Sequence, residues 1–259
     1  MTKTEVLAAA LVAISLNPVL IAWAQSSQER GYEIAKASSD LGGGYRDYSA
    51  SGKMILKNKA GSSTERDFDF KSIETAGGDQ SLLVFNWPGD IRDTALLTHE
   101  HKSSADDQWI FLPAEKRVKR IAAAGRSGSF VGSEFSYGDL VEQGLDKFSY
   151  NWLSQEACCN VVERVPKSSD SGYSRQVVWY NKSNNTVAKI DYYNLGATLL
   201  KTLTATGYQK FNDRFWRPSM IAMVNHLTGK ETILTWRAQR FSSGLSLNEF
   251  TVDAMSRIR

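Results

Sequence analysis

From residue 48 onward apolar and polar residues alternate with a period of two, in segments of strand length separated by clusters of Gly, Asn, Asp and Ser. The segments 48–57, 64–74, 80–87, 93–101, 108–112 and 117–121 form one run, and 148–166, 175–180, 187–193, 198–208, 217–226 and 230–241 form a second. Short turns between half-buried strands predict an antiparallel meander. Ahead of the first strand the period changes. Over 26–40, Tyr32, Ile34, Ala35 and Ala37 sit among polar residues, which predicts a short amphipathic helix stopped by Gly42-Gly43-Gly44. That triplet follows no strand and lacks a Lys-Ser/Thr ending, so it reads as a turn and not as a phosphate-binding loop.

The N-terminus follows a third pattern. A short polar start precedes an apolar run over 6–21 and a small-x-small ending at Ala22, Trp23 and Ala24, the layout of a signal peptide. Ser15, Asn17 and Pro18 interrupt the run, leaving it short of the roughly 20 apolar residues of a spanning helix. The expectation is cleavage after Ala24 and a single exported domain over 25–259. No cysteine follows the cleavage point to carry a lipid anchor.

Two stretches break the meander. Residues 122–144 are rich in Gly and Ser, carry Phe130, Phe135 and Tyr137, and end in a predicted helical turn around 139–143. The C-terminus, with Phe250 and Ala254-Met255, predicts a closing helical piece. Long irregular insertions in compact domains tend to be lids or binding loops.

With 42% hydrophobic and 23% charged residues the chain is ordinary globular material, and a net charge of +3 is too small to imply a nucleic-acid partner. Cys158 and Cys159 are adjacent. Neighbours on a strand point to opposite faces, so one buried and one exposed thiol is the leading expectation, with a vicinal or an intermolecular disulfide as the alternatives.

Catalytic signatures are weak. His99 and His101, on one strand, project to one face about 6.5 to 7 Å apart, a spacing that suits a metal. A third ligand would have to come from Asp106, Asp107 or His226, and a polar strand face is the simpler reading. Gly125-Arg126-Ser127-Gly128-Ser129 fails a nucleophile elbow at its last position, and zinc-protease and dinucleotide signatures are absent. No enzyme activity, metal or cofactor is predicted. The basic cluster Lys116, Arg117, Lys119, Arg120 and Arg126 reads as a solvated face, with anionic headgroups or an acidic partner as the functional alternative.

Seven Trp, ten Tyr and eleven Phe exceed what a minimal β core needs. Phe85, Trp87, Trp109, Phe111, Phe130, Phe135, Tyr137, Phe215 and Trp216 fall at strand ends or in irregular segments, and with Met220 they are the candidate cavity and lid residues. A strongly curved sheet cannot close its concave face on itself and needs a helix, a lid or an apolar ligand there.

An ordered series of motifs resembles the outer-membrane lipoprotein-sorting protein family, the LolA-like group. It runs through Trp109-Ile110-Phe111-Leu112-Pro113, Arg117-Val118-Lys119-Arg120-Ile121 and the stretch from Phe130-Val131-Gly132 to Tyr137-Gly138-Asp139-Leu140. It continues with Val165-Pro166-Lys167, Tyr173 through Val178-Trp179, Asp191-Tyr192-Tyr193, Leu199-Leu200-Lys201, Arg217-Pro218-Ser219-Met220 and Asn225-His226-Leu227-Thr228-Gly229 with Thr232.

The resemblance implies a mainly β fold: one strongly curved antiparallel sheet forming an incomplete barrel, with helices and loops plugging a hydrophobic cavity. It implies a periplasmic carrier or chaperone for lipid or the acyl chains of lipoproteins, working with an inner-membrane transporter of the RND or MMPL type. A lipid sensor or transporter accessory subunit acting by protein contact is the other reading of the same fold.

Overall fold

The computed structural model describes residues 18–102, 104–141 and 144–258. The predicted signal segment falls largely on residues 1–17, outside this range. The first helix, α1 (Pro18–Ser39), begins earlier than the amphipathic pattern predicts and runs through Ala22-Trp23-Ala24. Pro18 suits a helix start, where its missing N–H has no intrahelical role, and Leu20, Ala22, Ala24 and Gln25 after it favour helix.

Fifteen strands follow: β1 (Asp47–Lys57), β2 (Ser63–Ile73), β3 (Gln80–Trp87), β4 (Ala95–His99), β5 (Asp107–Leu112), β6 (Arg117–Arg120), β7 (Phe148–Gln155), β8 (Cys159–Pro166), β9 (Tyr173–Asn181), β10 (Val187–Asn194), β11 (Leu199–Thr206), β12 (Gln209–Phe211), β13 (Phe215–Arg217), β14 (Met220–Asn225) and β15 (Glu231–Phe241). Thirteen of them make one antiparallel sheet in the order β6-β5-β4-β3-β2-β1-β15-β14-β11-β10-β9-β8-β7, and β12 and β13 form a separate ribbon. The sheet is two meanders joined edge to edge where β1 pairs with β15, and β6 and β7 at its two ends do not pair, so it is open and not a closed barrel.

Three expectations need correcting. The predicted strand 148–166 is the hairpin β7–β8, whose turn closes through Glu156 N–H donating to the Cys159 carbonyl at 2.8 Å. No Gly, Pro or Asn marks that turn, so the apolar pattern runs through it unbroken. At the same turn Cys158 and Cys159 are joined to each other as a vicinal disulfide, and not as one buried and one exposed thiol. The last correction is that Pro218 interrupts the predicted strand 217–226, leaving Arg217 in the unpredicted β12–β13 ribbon.

The sheet's alternation sorts its side chains into separate cores. Leu83 and Leu96 join the main cluster with Met54, Phe68, Phe85 and Val178. Their chain neighbours Leu82 and Leu97 face the other way and are covered by Phe250 and Met255 from the C-terminal segment, including α2 (Val252–Met255). This is the predicted closing piece. Gly52 lets the Phe68 ring cross β1, since a Cβ there would collide with that ring and with the Thr235 carbonyl.

Helix α1 closes the β7 end of the sheet. Ser27 Oγ lies 2.8 Å from Asn151 Oδ1 and 2.9 Å from the Trp152 carbonyl, and the Arg30 guanidinium sits 3.9 Å from the Trp152 ring centroid. Buried Gly31 sets the approach, because a Cβ at this position would lie 2.8 Å from Trp152 N. Gly31→Val should therefore lift α1 from β7. Hydrogen exchange should report amides of 27–39 opening at least about tenfold more often, with sheet amides unchanged.

Candidate functional site

Residues 126–141 lie across one face of the sheet and hold its distant strands together. Phe130 N–H donates to the Phe135 carbonyl at 2.8 Å, closing a tight loop in which Val131 and Gly132 both take positive φ. Arg66 of β2 donates to the Val131 carbonyl at 2.7 Å, and Thr232 Oγ1 of β15 accepts from Glu134 N–H at 2.9 Å. Asn225 of β14 donates to Glu134 Oε2 at 2.8 Å. A helical turn at Tyr137–Leu140 follows, starting two residues earlier than predicted, at a Ser136/Asp139 capping box.

Two attachments of this turn reveal the curvature. Gln108 of β5 donates to the Tyr137 carbonyl at 2.9 Å, and Tyr173 of β9 donates to Asp139 Oδ1 at 2.9 Å. These two strands are nine places apart in the sheet, about 43 Å if it were flat at the usual strand spacing. Residues 137 and 139 can reach both only because the sheet curls around them.

Asp139 is the fastening point. Its carboxylate is 2% exposed and pairs at 2.7 Å with Lys201 Nζ of β11, whose side chain is 7% exposed. It also accepts from Ser136 N–H at 2.7 Å. Lys201 donates to the Glu134 carbonyl at 3.0 Å and faces the Tyr173 and Tyr192 rings. Burial, together with the neighbouring Asp139 charge, pushes the Tyr173 phenol far up, so it stays protonated and donates to Asp139.

Two cavities flank this fastening. The larger, about 640 Å³, lies among β7–β11, the C-terminal end of α1 and the loop before β5. Tyr150, Tyr180, Tyr192, Val187, Ile190 and Leu203 give it an aromatic and aliphatic wall, while Arg126, Arg164 and Lys167 add charge. The smaller, about 310 Å³, is lined by Tyr48, Phe70, Leu83, Phe135, Leu234 and Trp236 among others. Asp139, Val141 and Leu203 line both, so the covering turn is the partition between them. In the smaller cavity burial raises the Asp79 carboxyl above its ordinary value, opposed by a 2.9 Å hydrogen bond from Tyr45 and reinforced by the Glu74 charge.

Known proteins share this architecture. A family model described as an uncharacterized protein matches residues 77–257. The crystal structure of an outer membrane lipoprotein-sorting protein domain from Vibrio parahaemolyticus is similar at 41% identity and a TM-score of 0.86, covering 89% of this chain and all of that one. This chain belongs to the outer-membrane lipoprotein-sorting, LolA-like family. A DUF1329 family protein from Desulfovibrio piger is 27% identical with a TM-score of 0.84, covering 88% of this chain and 99% of that one. A LolA superfamily protein from Nitrosomonas europaea, at 18% identity and a TM-score of 0.70, shares the fold over 86% of this chain and 98% of its own. No curated protein matches.

In this LolA-like chain the candidate aromatics are dispersed. Phe135 lines the smaller cavity. Phe130 is fully buried beneath it, stacked on Phe85 at 5.8 Å and met edge-on by Tyr137 at 5.5 Å, so this trio pins the covering segment to β3. Trp109 and Phe111 point to the opposite face of β5 from Gln108 and join the core under the C-terminal segment. Phe215 stacks on Phe241 at 4.9 Å in a third cluster. Trp216 is half-buried, whereas Trp87 and Met220 are 49% and 37% exposed.

The three histidines do not converge. His99 Nε2 lies 2.7 Å from the Phe250 carbonyl, His101 Nε2 lies 3.0 Å from Asp107, and His226 Nε2 lies 2.8 Å from Thr202 Oγ1. Among the described residues no group of three ligand-type side chains could hold a metal. Within the basic cluster Lys119 pairs with Glu115 and Arg120 with Asp107, while Arg126 stands apart at the larger cavity.

The tyrosine wall and the Asp139–Lys201 pair escaped the sequence reading. Inward tyrosines on strands look like ordinary core. The pair has a trace in the Ser136-x-x-Asp139 cap and in a lysine at an inward position of β11.

Lys201→Met should cost about 3–5 kcal/mol in urea unfolding, as expected for an orphaned buried charge, and Lys201→Met with Asp139→Asn should cost less than Lys201→Met alone. Asp79 behaves in the opposite sense to a salt-bridged carboxylate. Its raised value means that stability falls as pH climbs through and above the ordinary aspartate range. Asp79→Asn should accordingly raise the urea midpoint more at pH 7 than at pH 3.

Proposed function

We propose that this protein is a periplasmic carrier that shields lipid, or the acyl chains of lipoproteins, in the paired cavities under residues 126–141. The observation carrying this reading is the pair of adjoining cavities, about 640 and 310 Å³, in the hollow of a curled sheet. Both lie in the range of small-ligand sites, and most of the surface they expose is apolar. The 41% identical Vibrio parahaemolyticus relative, described as a lipoprotein-sorting protein domain, supports it.

Burial of each methylene contributes about 0.8 kcal/mol, so one long chain supplies ample affinity and release becomes the harder step. Residues 126–141 are the lid. Their displacement would join the two cavities, and the same side chains falling back would refill the space and expel cargo. An inner-membrane exporter of the RND or MMPL type is the partner that would deliver or receive the lipid. The chain reaches the periplasm through a signal peptide removed after Ala24, and residues 25–259 act as one domain without catalytic chemistry. No helix among the described residues is long and apolar enough to cross a membrane.

Leu203 lines both cavities, which makes Leu203→Trp a direct test. The larger side chain should reduce binding of a fluorescent fatty-acid probe at least about tenfold with the circular dichroism spectrum retained. Phe135→Asp, a charge in the wall of the smaller cavity, should act in the same direction. Full probe binding by both variants would remove these cavities as the cargo site.

A further inference from the structure

The larger cavity carries more positive charge than its apolar wall requires. Its lining includes Lys147, held by Asp106 at 2.6 Å, and Asp139, already paired with Lys201. Arg126, Arg164, Lys102 and Lys167 remain, against Asp146 and Asp170 in the same lining, and none of these six forms an ion pair within the described residues. Arg164 is fixed in place without being neutralised: its Nε donates to Gln176 Oε1 at 2.6 Å and its guanidinium lies 4.7 Å from the Phe148 ring centroid. Arg126 has less. Its Nε is buried and has no hydrogen-bond partner among the described residues.

A buried guanidinium N–H without an acceptor costs free energy, and groups of this kind call for a partner that the chain does not supply. Arginine stays charged, and its planar fork matches the oxygens of a phosphate or carboxylate. Arg126 is also tied to the lid, because its carbonyl accepts from Gly138 N–H at 2.9 Å, next to Asp139. An anion between Arg126 and Arg164 would therefore bridge the lid to β8.

We infer that the larger cavity selects an anionic amphiphile, with a phosphate or carboxylate head held between Arg126 and Arg164 and its hydrocarbon chain along Tyr150, Val187, Ile190 and Leu203. The inference rests on the carrier reading and narrows its cargo. Both arginines are positioned to set headgroup specificity, while the apolar wall supplies affinity that does not depend on charge.

Calorimetric titration of the protein with dodecyl phosphate, with the uncharged tetraethylene glycol monododecyl ether and with inorganic phosphate separates the cases. Dodecyl phosphate should bind at least about tenfold more tightly than the uncharged amphiphile, and inorganic phosphate should bind far more weakly than either. Arg126→Gln and Arg164→Gln should each reduce the ratio of the two affinities about tenfold, and Arg126→Lys should restore part of it. Equal binding of the two amphiphiles, or a preference that survives both Gln variants, overturns the headgroup assignment and leaves the carrier reading intact. Inorganic phosphate binding as tightly as dodecyl phosphate makes this a free-anion site and overturns the assignment too. If neither amphiphile binds, the carrier reading falls with it.

Discussion

The ion pair between Asp139 and Lys201 fixes the relation between the sheet and the segment that covers it. A carboxylate removed from water needs several donors, and Asp139 draws them from Lys201 of β11, Tyr173 of β9 and the backbone of its own turn. Strands from the second meander therefore meet one residue of the covering segment. Arg66 of β2 and Gln108 of β5 grip the same segment from the first meander. An open sheet with unpaired ends acquires its curl in this way, without barrel closure.

The partition follows from that fastening. Val141 and Leu203 line both cavities together with Asp139, so apolar lining adjoins a buried ion pair. Buried ionic groups contribute little to net stability, and in some proteins they select one arrangement over its alternatives. A lid fixed by directional polar contacts to several strands has one well-defined closed position, whereas a purely apolar lid could slide.

Much of the fold was legible in the sequence because a period of two is imposed wherever one face of a strand meets a core. Ten of the twelve predicted strand segments correspond to a single strand; 148–166 spans a turn that carries no turn residue, and 217–226 is cut at Pro218. The site was less legible. Phe135 was recognisable from its place in a Gly/Ser-rich insertion, whereas Phe130 and Phe85 turned out to hold that insertion down. Tyr150, Tyr180 and Tyr192 have no local signature, since only the curl of the sheet decides that an inward tyrosine faces a void and not a neighbour. The Asp139–Lys201 contact joins residues from distant parts of the chain, and no local period encodes such a pairing.

The seam between the two meanders has a consequence for how the molecule is made. Each meander is built from neighbouring hairpins that can zip locally, but β1 finds its second partner only in β15, with Met54 opposite Leu234. Contacts of such long range are slow to form, because the chain entropy lost in closing the loop precedes any gain. The hollow between the meanders therefore does not exist until almost the entire polypeptide has been synthesised, and a partly made chain has strands but no place to hold a guest.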